Sequence, residues 1–196
     1  MKPFLVKLSI SGRHLHISRE DLDALFGPNY QLTKFQDISQ HGQWTAHEKV
    51  TLLGPKGQLD NVRILGPVRP QTQVEVSRTD ATKLGVNPPV RESGDLSGTV
   101  GLTLLSPAGK KVELREGVMI AARHIHFSPE QAREHSLTDG DQLSVQINGQ
   151  RGGVLHHVIV RVRSDYDEDL HVDTDEANAL GIKNDSQGIV IGKSSL

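Results

Sequence analysis

The sequence of 196 residues contains no cysteine, and neither sign of charge dominates it. The absence of cysteine excludes disulfides, cysteine-liganded zinc fingers, iron–sulfur clusters and a thiol nucleophile. The formal net charge of -2 leaves no basic footprint for nucleic acid or for an anionic membrane. We therefore expect small-molecule partners, and histidine, aspartate and glutamate are the only strong side-chain metal ligands available.

Long hydrophobic runs are also missing. No apolar stretch approaches the roughly 20 residues that a membrane helix needs, and Lys7 interrupts the N-terminal apolar residues too early for a signal peptide. The chain is long enough for one large β domain or two small ones. We expect a soluble, cytoplasmic protein.

What is present is mostly strand-like. Apolar residues alternate with others over residues 4–11, where only Leu5 departs from the pattern, and a regular continuation would add His14 and His16 to the same buried face. Three hairpins are predicted, with turns at residues 54–57, at residues 106–109 and at Asn148-Gly149. Serines before residues 19–22 and 129–131 predict the caps of short helices. The sequence thus predicts a mainly β fold with short helices.

Two phrases recur 110 residues apart. Residues 13–18 read Arg-His-Leu-His-Ile-Ser, and residues 123–128 read Arg-His-Ile-His-Phe-Ser. Because alternate side chains of a strand point to the same face, the two histidines of each phrase can reach one metal ion. A single such pair is more often an ordinary strand with hydrogen-bonded histidines, and the flanking arginine and serine can equally be turn and cap residues. Two matching pairs favour metal binding.

A second internal match supplies a third ligand to each pair. Residues 74–85 align without a gap on residues 170–181, each as a strand, a polar cap, a short helix and a glycine stop, and Glu75 falls opposite His171. Three protein ligands with an open position are typical of catalytic zinc. The predicted ligand sets are His14, His16 and Glu75 in one site, and His124, His126 and His171 in the other.

Other metal-binding classes fit less well. A cupin places its glutamate within a few residues of His-x-His, whereas Glu75 lies 59 residues beyond His16. A TIM-barrel metallohydrolase typically needs about 250 residues and repeated strand–helix units. A non-catalytic zinc-binding β module and another metal-dependent hydrolase stay open as alternatives at this point.

Four phrases together resemble a known family. They are Ser-Gly-Arg-His-Leu-His-Ile-Ser at residues 11–18, Gly-Pro-Val-Arg at 66–69 before Val-Glu-Val-Ser-Arg-Thr-Asp-Ala at 74–81, Arg-His-Ile-His-Phe-Ser-Pro at 123–129, and His-Val-Asp-Thr-Asp-Glu-Ala-Asn-Ala at 171–179. In this order, and over about residues 8–191, they resemble the PduL-type phosphate propanoyltransferase (phosphotransacylase) family. The resemblance implies transfer of a short acyl group, propanoyl or acetyl, between coenzyme A and phosphate.

The same resemblance implies architecture and site residues. Family members have two small β-barrels with the active site between them, which implies domains of residues 13–120 and of residues 1–12 plus 121–196. They use two zinc ions, placed by the resemblance on the two ligand sets given above. Arg69 matches their phosphate-binding arginine, and a guanidinium suits phosphate oxygens. The residues that match their coenzyme A contacts are Ser11, Arg63, Leu65 and Asn178.

Several further expectations concern chemistry and context. With no cysteine, and with no evident base for a serine, direct acyl transfer without a covalent acyl-enzyme is favoured. Cobalt, iron or nickel suit the same ligand geometry as zinc. Because Glu75 is matched by His171, we expect the two ions to differ in electrophilicity. Members of the family are often dimers or larger, so we expect a homo-oligomer, and we expect no microcompartment-targeting extension before the first strand.

Overall fold

A computed structural model describes residues 1–194 of the chain. Within them the strands are β1 (Phe4–Ser11), β2 (His14–Ser18), β3 (Lys34–Asp37), β4 (Trp44–Leu53), β5 (Gln58–Arg69), β6 (Gln73–Glu75), β7 (Val90–Arg91), β8 (Thr103–Leu105), β9 (Lys111–Glu113), β10 (Val118–Ala121), β11 (His124–Phe127), β12 (Gln142–Ile147), β13 (Gly153–Val162), β14 (Asp169–Asp173) and β15 (Gln187–Lys193). The helices are α1 (Arg19–Phe26), α2 (Arg78–Leu84), α3 (Pro129–Glu134) and α4 (Thr174–Leu180). The prediction of a mainly β fold with short helices is confirmed.

The first unit consists of residues 1–12, residues 39–41 and the chain from Ala122 onward. Its strands form a closed barrel in the order β1, β14, β11, β13, β12 and β15. Leu8, Phe127 and Leu170 are fully buried inside it, whereas Leu5 on β1 is 55% exposed, as its departure from the alternating pattern predicts. The alternation of β1 therefore separates a core face from an outer face.

The second unit consists of residues 13–38 and 42–121. Its sheet has the order β7, β10, β6, β2, β5, β4, β8 and β9, and β3 pairs with β4. This sheet curls like a half-barrel around a core that includes Leu15, Ile17 and Ile64, all fully buried. The two units are consistent with two barrel-like domains.

The three predicted hairpins all form. Strands β4 and β5 are antiparallel around the turn at residues 54–57, and β8 and β9 are antiparallel around residues 106–110. Strands β12 and β13 also pair, but residues 148–152 connect them, and the Gly152 amide donates to the Gly149 carbonyl. The expected tight turn at Asn148-Gly149 is thus part of a five-residue loop.

The first strand is shorter than a regular continuation of its pattern would make it. Strand β1 ends at Ser11 and does not continue through the first His-x-His pair, which lies on the separate strand β2. The reason is pairing, because β1 binds β14 and β15 in the first unit, whereas β2 binds β5 and β6 in the second. His14 and His16 therefore belong to a different sheet from the residues of β1.

The predicted helix caps are confirmed. The Ser18 side chain accepts a hydrogen bond from the Asp21 amide at the start of α1. At α3, Ser128 and Gln131 form a full capping box with Pro129 in the first turn. Each helix therefore begins directly after the strand that carries a His-x-His pair.

The internal repeat in the sequence is also a repeat in the structure. Strand β2 is antiparallel to β6 and parallel to β5, and β11 is likewise antiparallel to β14 and parallel to β13. Ser77 and Asp173 cap α2 and α4, and both helices end at a glycine with left-handed backbone angles, Gly85 and Gly181. Each His-x-His strand thus lies beside the strand that carries the predicted third ligand.

Candidate active site

The first candidate metal group comprises His14, His16 and Glu75, and we call it the Glu75 group. On the antiparallel strands β2 and β6, His14 lies opposite Glu75 and His16 opposite Gln73. Directly opposed residues of antiparallel strands have Cβ atoms about 4.5–5.5 Å apart. The register therefore places all four side chains on one face.

The ligand atoms of this group converge. One nitrogen from each histidine and one Glu75 oxygen all lie within 4.8 Å of one another. His14 Nε2 is 3.5 Å from Glu75 Oε2, and the two imidazole rings meet edge to face. The arrangement can hold a metal ion with three ligands.

His16 has the chemistry expected of a metal ligand. Its side chain is almost fully buried, and its Nδ1 atom has no hydrogen-bond partner. A hydrogen bond joins its ring to the backbone of Leu65, and Nδ1 is the nitrogen whose lone pair can bind a metal ion. Burial, with smaller effects of His14 and Arg69, lowers the pKa of His16 to about 3, so the imidazole is neutral at pH 7.

The second candidate group comprises His124, His126 and His171, and we call it the three-histidine group. His124 lies opposite His171 on strands β11 and β14, and the three ring centroids are 4.7–5.3 Å apart. His124 Nδ1 donates to the Ala122 carbonyl at 2.8 Å, a hydrogen bond that orients the ring. Buried His171 Nε2 lacks a hydrogen-bond partner.

The two groups are not equally convergent. Among residues 1–194, only the Glu75 group has its ligand atoms all within 4.8 Å of one another. In the other group the His126 ring packs against Tyr166, with centroids 4.0 Å apart. Burial, with smaller effects of His124 and His171, lowers the pKa of His126 to about 2, so this imidazole is also neutral.

Asp169 lies beside the three-histidine group and was not predicted from the sequence. It faces His126 across β11 and β14, and it is only 2% exposed. Burial would raise the pKa of Asp169, but interactions with His171, Ser9 and Ser39 together hold it below its ordinary value. Asp169 is therefore a carboxylate at pH 7.

Arg69 lies in the same unit as the Glu75 group and is connected to it by hydrogen bonds. Arg69 donates from Nη1 to Ser93 Oγ at 3.2 Å and from Nη2 to Gln43 Oε1 at 3.1 Å. Gln73 Nε2 donates both to Ser93 Oγ, at 2.8 Å, and to Glu75 Oε1, at 2.6 Å. The buried amide of Gln73 thus links Ser93, which accepts from Arg69, to the candidate metal ligand Glu75.

Gln73, Ser93 and Gln43 were likewise not predicted from the sequence. Gln73 occupies the same strand face as Glu75, two residues earlier, so the period of two would have placed it beside the ligand. Ser93 and Gln43 lie in separate connections of the second unit and had no such signal.

The four predicted coenzyme A contacts fall into two pairs. Arg63 and Leu65 on β5 lie directly beside His14 and His16 on β2, and the Arg63 guanidinium packs over the Phe35 ring. Ser11 ends β1 in the first unit, opposite the residue that caps α4, and Asn178 is exposed on that helix.

Sequence comparisons identify the family of the chain. The family model described as phosphate propanoyltransferase matches residues 7–183. The chain belongs to the phosphate propanoyltransferase family. Relatives bearing that name include a protein of Listeria monocytogenes, 48% identical over 96% of this chain and 88% of the relative, and one of Thermotoga maritima, 51% identical over 88% and 82%. Another, from Rhodopseudomonas palustris, is 49% identical over 93% and 80%.

Family membership defines the general activity of the chain. As a phosphate propanoyltransferase family member, it is a transferase of the phosphate acyltransferase class. Within residues 1–194, no helix combines the length and the apolar character required to cross a membrane.

Proposed function

We propose that the chain is a dinuclear zinc enzyme that reversibly transfers a propanoyl or acetyl group between coenzyme A and inorganic phosphate. The observation that carries this proposal is the chain of hydrogen bonds from Arg69 through Ser93 and Gln73 to Glu75. It joins a phosphate-binding type of side chain to a metal-binding type of site in one unit. The domain boundaries expected at residues 12–13 and 120–121, a homo-oligomer and a cytoplasmic location belong to the same proposal.

The residues fit zinc. His16 Nδ1 and His171 Nε2 are buried nitrogens without hydrogen-bond partners, a costly state that a bound cation would relieve. The pKa values of about 3 for His16 and about 2 for His126 keep these imidazoles unprotonated, as ligands must be. When bound, zinc supplies Lewis acidity and lowers the pKa of a nearby thiol.

Arg69 would hold the phosphate. Its guanidinium presents several donors in a fixed plane, suits two phosphate oxygens and stays charged at any working pH. Gln43 and Ser93 each accept from a different terminal nitrogen, so the plane of the guanidinium is held from two sides. Arg69 thereby orients the phosphate for attack or for departure.

The transfer itself needs no covalent acyl-enzyme. In the direction of acyl-coenzyme A formation, the coenzyme A sulfur attacks the carbonyl carbon of the acyl phosphate, a carbon–sulfur bond forms and the carbon–oxygen bond to phosphate breaks. The thiol proton leaves to solvent, and phosphate departs with the bonding electrons toward Arg69. Ser11, Arg63, Leu65 and Asn178 are the proposed coenzyme A contacts.

A thiol assay tests the reaction. Propanoyl phosphate is mixed with coenzyme A, and loss of free thiol is measured with native protein, with chelator-stripped protein and after readdition of zinc. We expect activity, its loss on stripping and its recovery with zinc. His14→Ala should remove activity, whereas His47→Ala, at an exposed histidine of the same unit, should retain it.

The same assay separates the alternatives. A non-catalytic zinc module would bind zinc but consume no thiol at any acyl phosphate concentration. A metal-dependent hydrolase would release phosphate without consuming thiol. The enzyme can also be incubated with labelled acyl phosphate and then quenched. Label bound covalently to the protein would contradict direct transfer.

A further inference from the structure

Gln73 is a buried amide on strand β6 that contacts two other parts of the second unit. It is 2% exposed. Its Nε2 atom donates to Glu75 Oε1 at 2.6 Å and to Ser93 Oγ at 2.8 Å, and its Oε1 atom accepts from the Gly94 amide at 2.8 Å. An amide nitrogen carries two hydrogens, so both donors of Gln73 are used. The side chain therefore connects a candidate metal ligand to the segment that carries Ser93 and Gly94.

These partners fix which way the amide faces. In a flipped amide the oxygen would face the Glu75 carboxylate and the nitrogen would face the Gly94 N–H, so like groups would oppose each other in a buried place. Gln73 thus holds Glu75 Oε1, while Glu75 Oε2 lies 3.5 Å from His14 Nε2. One oxygen of the carboxylate is held by the amide, and the other faces the histidine with which it would share an ion.

The segment on the other side of Gln73 is a tight turn. The Asp95 amide donates to the Glu92 carbonyl at 3.0 Å, so Ser93 and Gly94 are the two central residues of a four-residue turn. Gly94 has a φ of 100°, which favours glycine. The turn thereby presents the Ser93 hydroxyl and the Gly94 amide to the same Gln73 side chain.

Ser93 extends the connection to Arg69. Its Oγ atom accepts from Arg69 Nη1 at 3.2 Å as well as from Gln73. A hydroxyl oxygen has two lone pairs, so both are used by these two donors. Three consecutive hydrogen bonds therefore join Glu75, Gln73, Ser93 and Arg69, and we call them the Gln73 path.

The repeat in the first unit lacks this path. Asp169 comes two places before His171, as Gln73 comes two places before Glu75. A carboxylate has no hydrogen to donate, and Asp169 instead accepts from Ser9 Oγ at 2.9 Å. A donating amide at this position is therefore not a requirement of the repeated fold, and it occurs in the unit that also carries Arg69.

We propose that Gln73 is a positioning residue that couples zinc binding at the Glu75 group to phosphate binding at Arg69. This inference rests on the proposed function. Each ligand fixes its own end of the Gln73 path, so the second ligand binds to side chains that are already ordered and loses less conformational freedom. The coupling is reciprocal, because phosphate must tighten zinc binding by the same factor by which zinc tightens phosphate binding.

The affinity for inorganic phosphate tests the proposal without measuring activity. Calorimetry gives this affinity for the full chain in zinc-buffered solution that keeps it saturated, and again after stripping with chelator. The ratio of the two affinities is the coupling factor, and we expect at least about fivefold in the original protein. In Gln73→Met the factor should fall at least about threefold, within the range that residues linking two sites contribute.

The matched control is the same replacement at another glutamine. Gln43→Met also removes an acceptor from Arg69 but leaves Gln73, Ser93 and Glu75 in place. It should weaken phosphate binding with and without zinc alike, and keep the coupling factor within about twofold of the original. A purely structural role of Gln73 would give this same result, with both affinities lowered and their ratio unchanged.

A second variant covers the case in which Gln73→Met does not fold. Ser93→Ala breaks the Gln73 path at an exposed residue, and its coupling factor should also fall at least about threefold. Equal factors in the original protein and in both variants would overturn the proposal, because direct attraction between zinc and phosphate would then account for the coupling. A factor near 1 in the original protein would overturn it as well. If the original chain binds no zinc, the proposed function fails instead, so the two failures are distinguishable.

Discussion

The Arg13 guanidinium binds the Asp80 carboxylate in a bidentate pair, with Nε 2.8 Å from Oδ2 and Nη2 2.8 Å from Oδ1. Arg13 precedes the first His-x-His pair, and Asp80 lies in helix α2, which follows Glu75. The pair therefore joins the strand that carries two candidate ligands to the helix behind the third. The sequence alone allowed Arg13 to be read as a turn residue, and the structure assigns it this specific contact.

The repeat contains the same connection. Arg123, before the second His-x-His pair, lies 2.8 Å through Nε from an oxygen of Glu176 in helix α4, which follows His171. Burial raises the pKa of Glu176, and Arg123 opposes this effect. Arginine–carboxylate pairs thus support both candidate metal groups.

Replacing Arg13 should weaken the second unit. In Arg13→Met the Asp80 carboxylate, almost fully buried, loses two charge-assisted hydrogen bonds, and we expect unfolding to require about 1–3 kcal/mol less free energy. Urea denaturation of metal-free protein measures this. Lys34→Met removes an exposed ion pair with Asp37 and should cost less than about 1 kcal/mol. Equal effects in the two variants would argue against a special role for Arg13.

Loss of the Ser93 hydroxyl should raise the KM for phosphate. Ser93→Ala removes one acceptor from Arg69, and the loss of about 1 kcal/mol predicts a KM for phosphate roughly fivefold higher, with the KM for coenzyme A unchanged. Steady-state kinetics in the phosphate-consuming direction measure both constants. Ser97→Ala, at an exposed position of the same loop, is the control. A parallel rise in both KM values would indicate general disruption.

Arg69→Lys should have a larger and equally selective effect. Lysine keeps the charge but loses the planar set of donors, so it cannot reproduce the contacts to both Ser93 and Gln43. We expect kcat/KM for phosphate to fall about 10- to 100-fold, which corresponds to about 1.4–2.7 kcal/mol. Comparable falls for phosphate and for coenzyme A would contradict phosphate binding by Arg69.

Metal-free protein should lose stability on acidification. The folded-state pKa values of His16 and His126, about 3 and about 2, lie below the ordinary value of 6.5. The unfolded chain therefore binds more protons below pH 6.5, and stability present above that pH is lost as pH falls toward 3. Each histidine contributes a slope of about 1.4 kcal/mol per pH unit in this window.

A histidine replacement measures that contribution. In His126→Gln the dependence of the unfolding free energy on pH between 6 and 4 should be shallower by about 1.4 kcal/mol per pH unit. Denaturant titrations at several pH values provide the slopes. His47→Gln, at an exposed histidine, should leave the slope unchanged. An identical slope in all three proteins would contradict the burial argument.

Removal of metal should lower the melting temperature. An ion present at 100 times its dissociation constant stabilises the folded chain by about 2.7 kcal/mol, which for a chain of this size is a shift of roughly 5–10 °C for each site. Calorimetry with and without chelator measures the shift. His14→Ala should show a smaller chelator effect than the original protein, and an unchanged melting temperature in chelator would refute the coupling between metal and folding.

Local patterns allowed much of this fold to be predicted. The alternation in β1, the Ser18 cap and the Ser128 capping box each depend on residues within a few positions of one another, and all three are observed. The hydrophobic pattern alone does not show the break between Ser11 and His14, because it continues across the break; only the family resemblance implied a boundary there, and strand pairing shows that two sheets are involved.

Some features of the candidate site also follow from the sequence, and others follow only from the tertiary structure. The sequence by itself determined which residues are chemically able to bind metal or phosphate, since side-chain type and the repeat identified His14, Glu75 and His171 without coordinates. The family resemblance alone pointed to Arg69. Only the tertiary structure decided their supporting contacts. Gln73 faces His16, and Asp169 faces His126, through the register of antiparallel strands, and the facing residues are 43 or more positions apart in the chain. Backbone hydrogen bonding between distant strands sets that register, and no local pattern in the sequence encodes it.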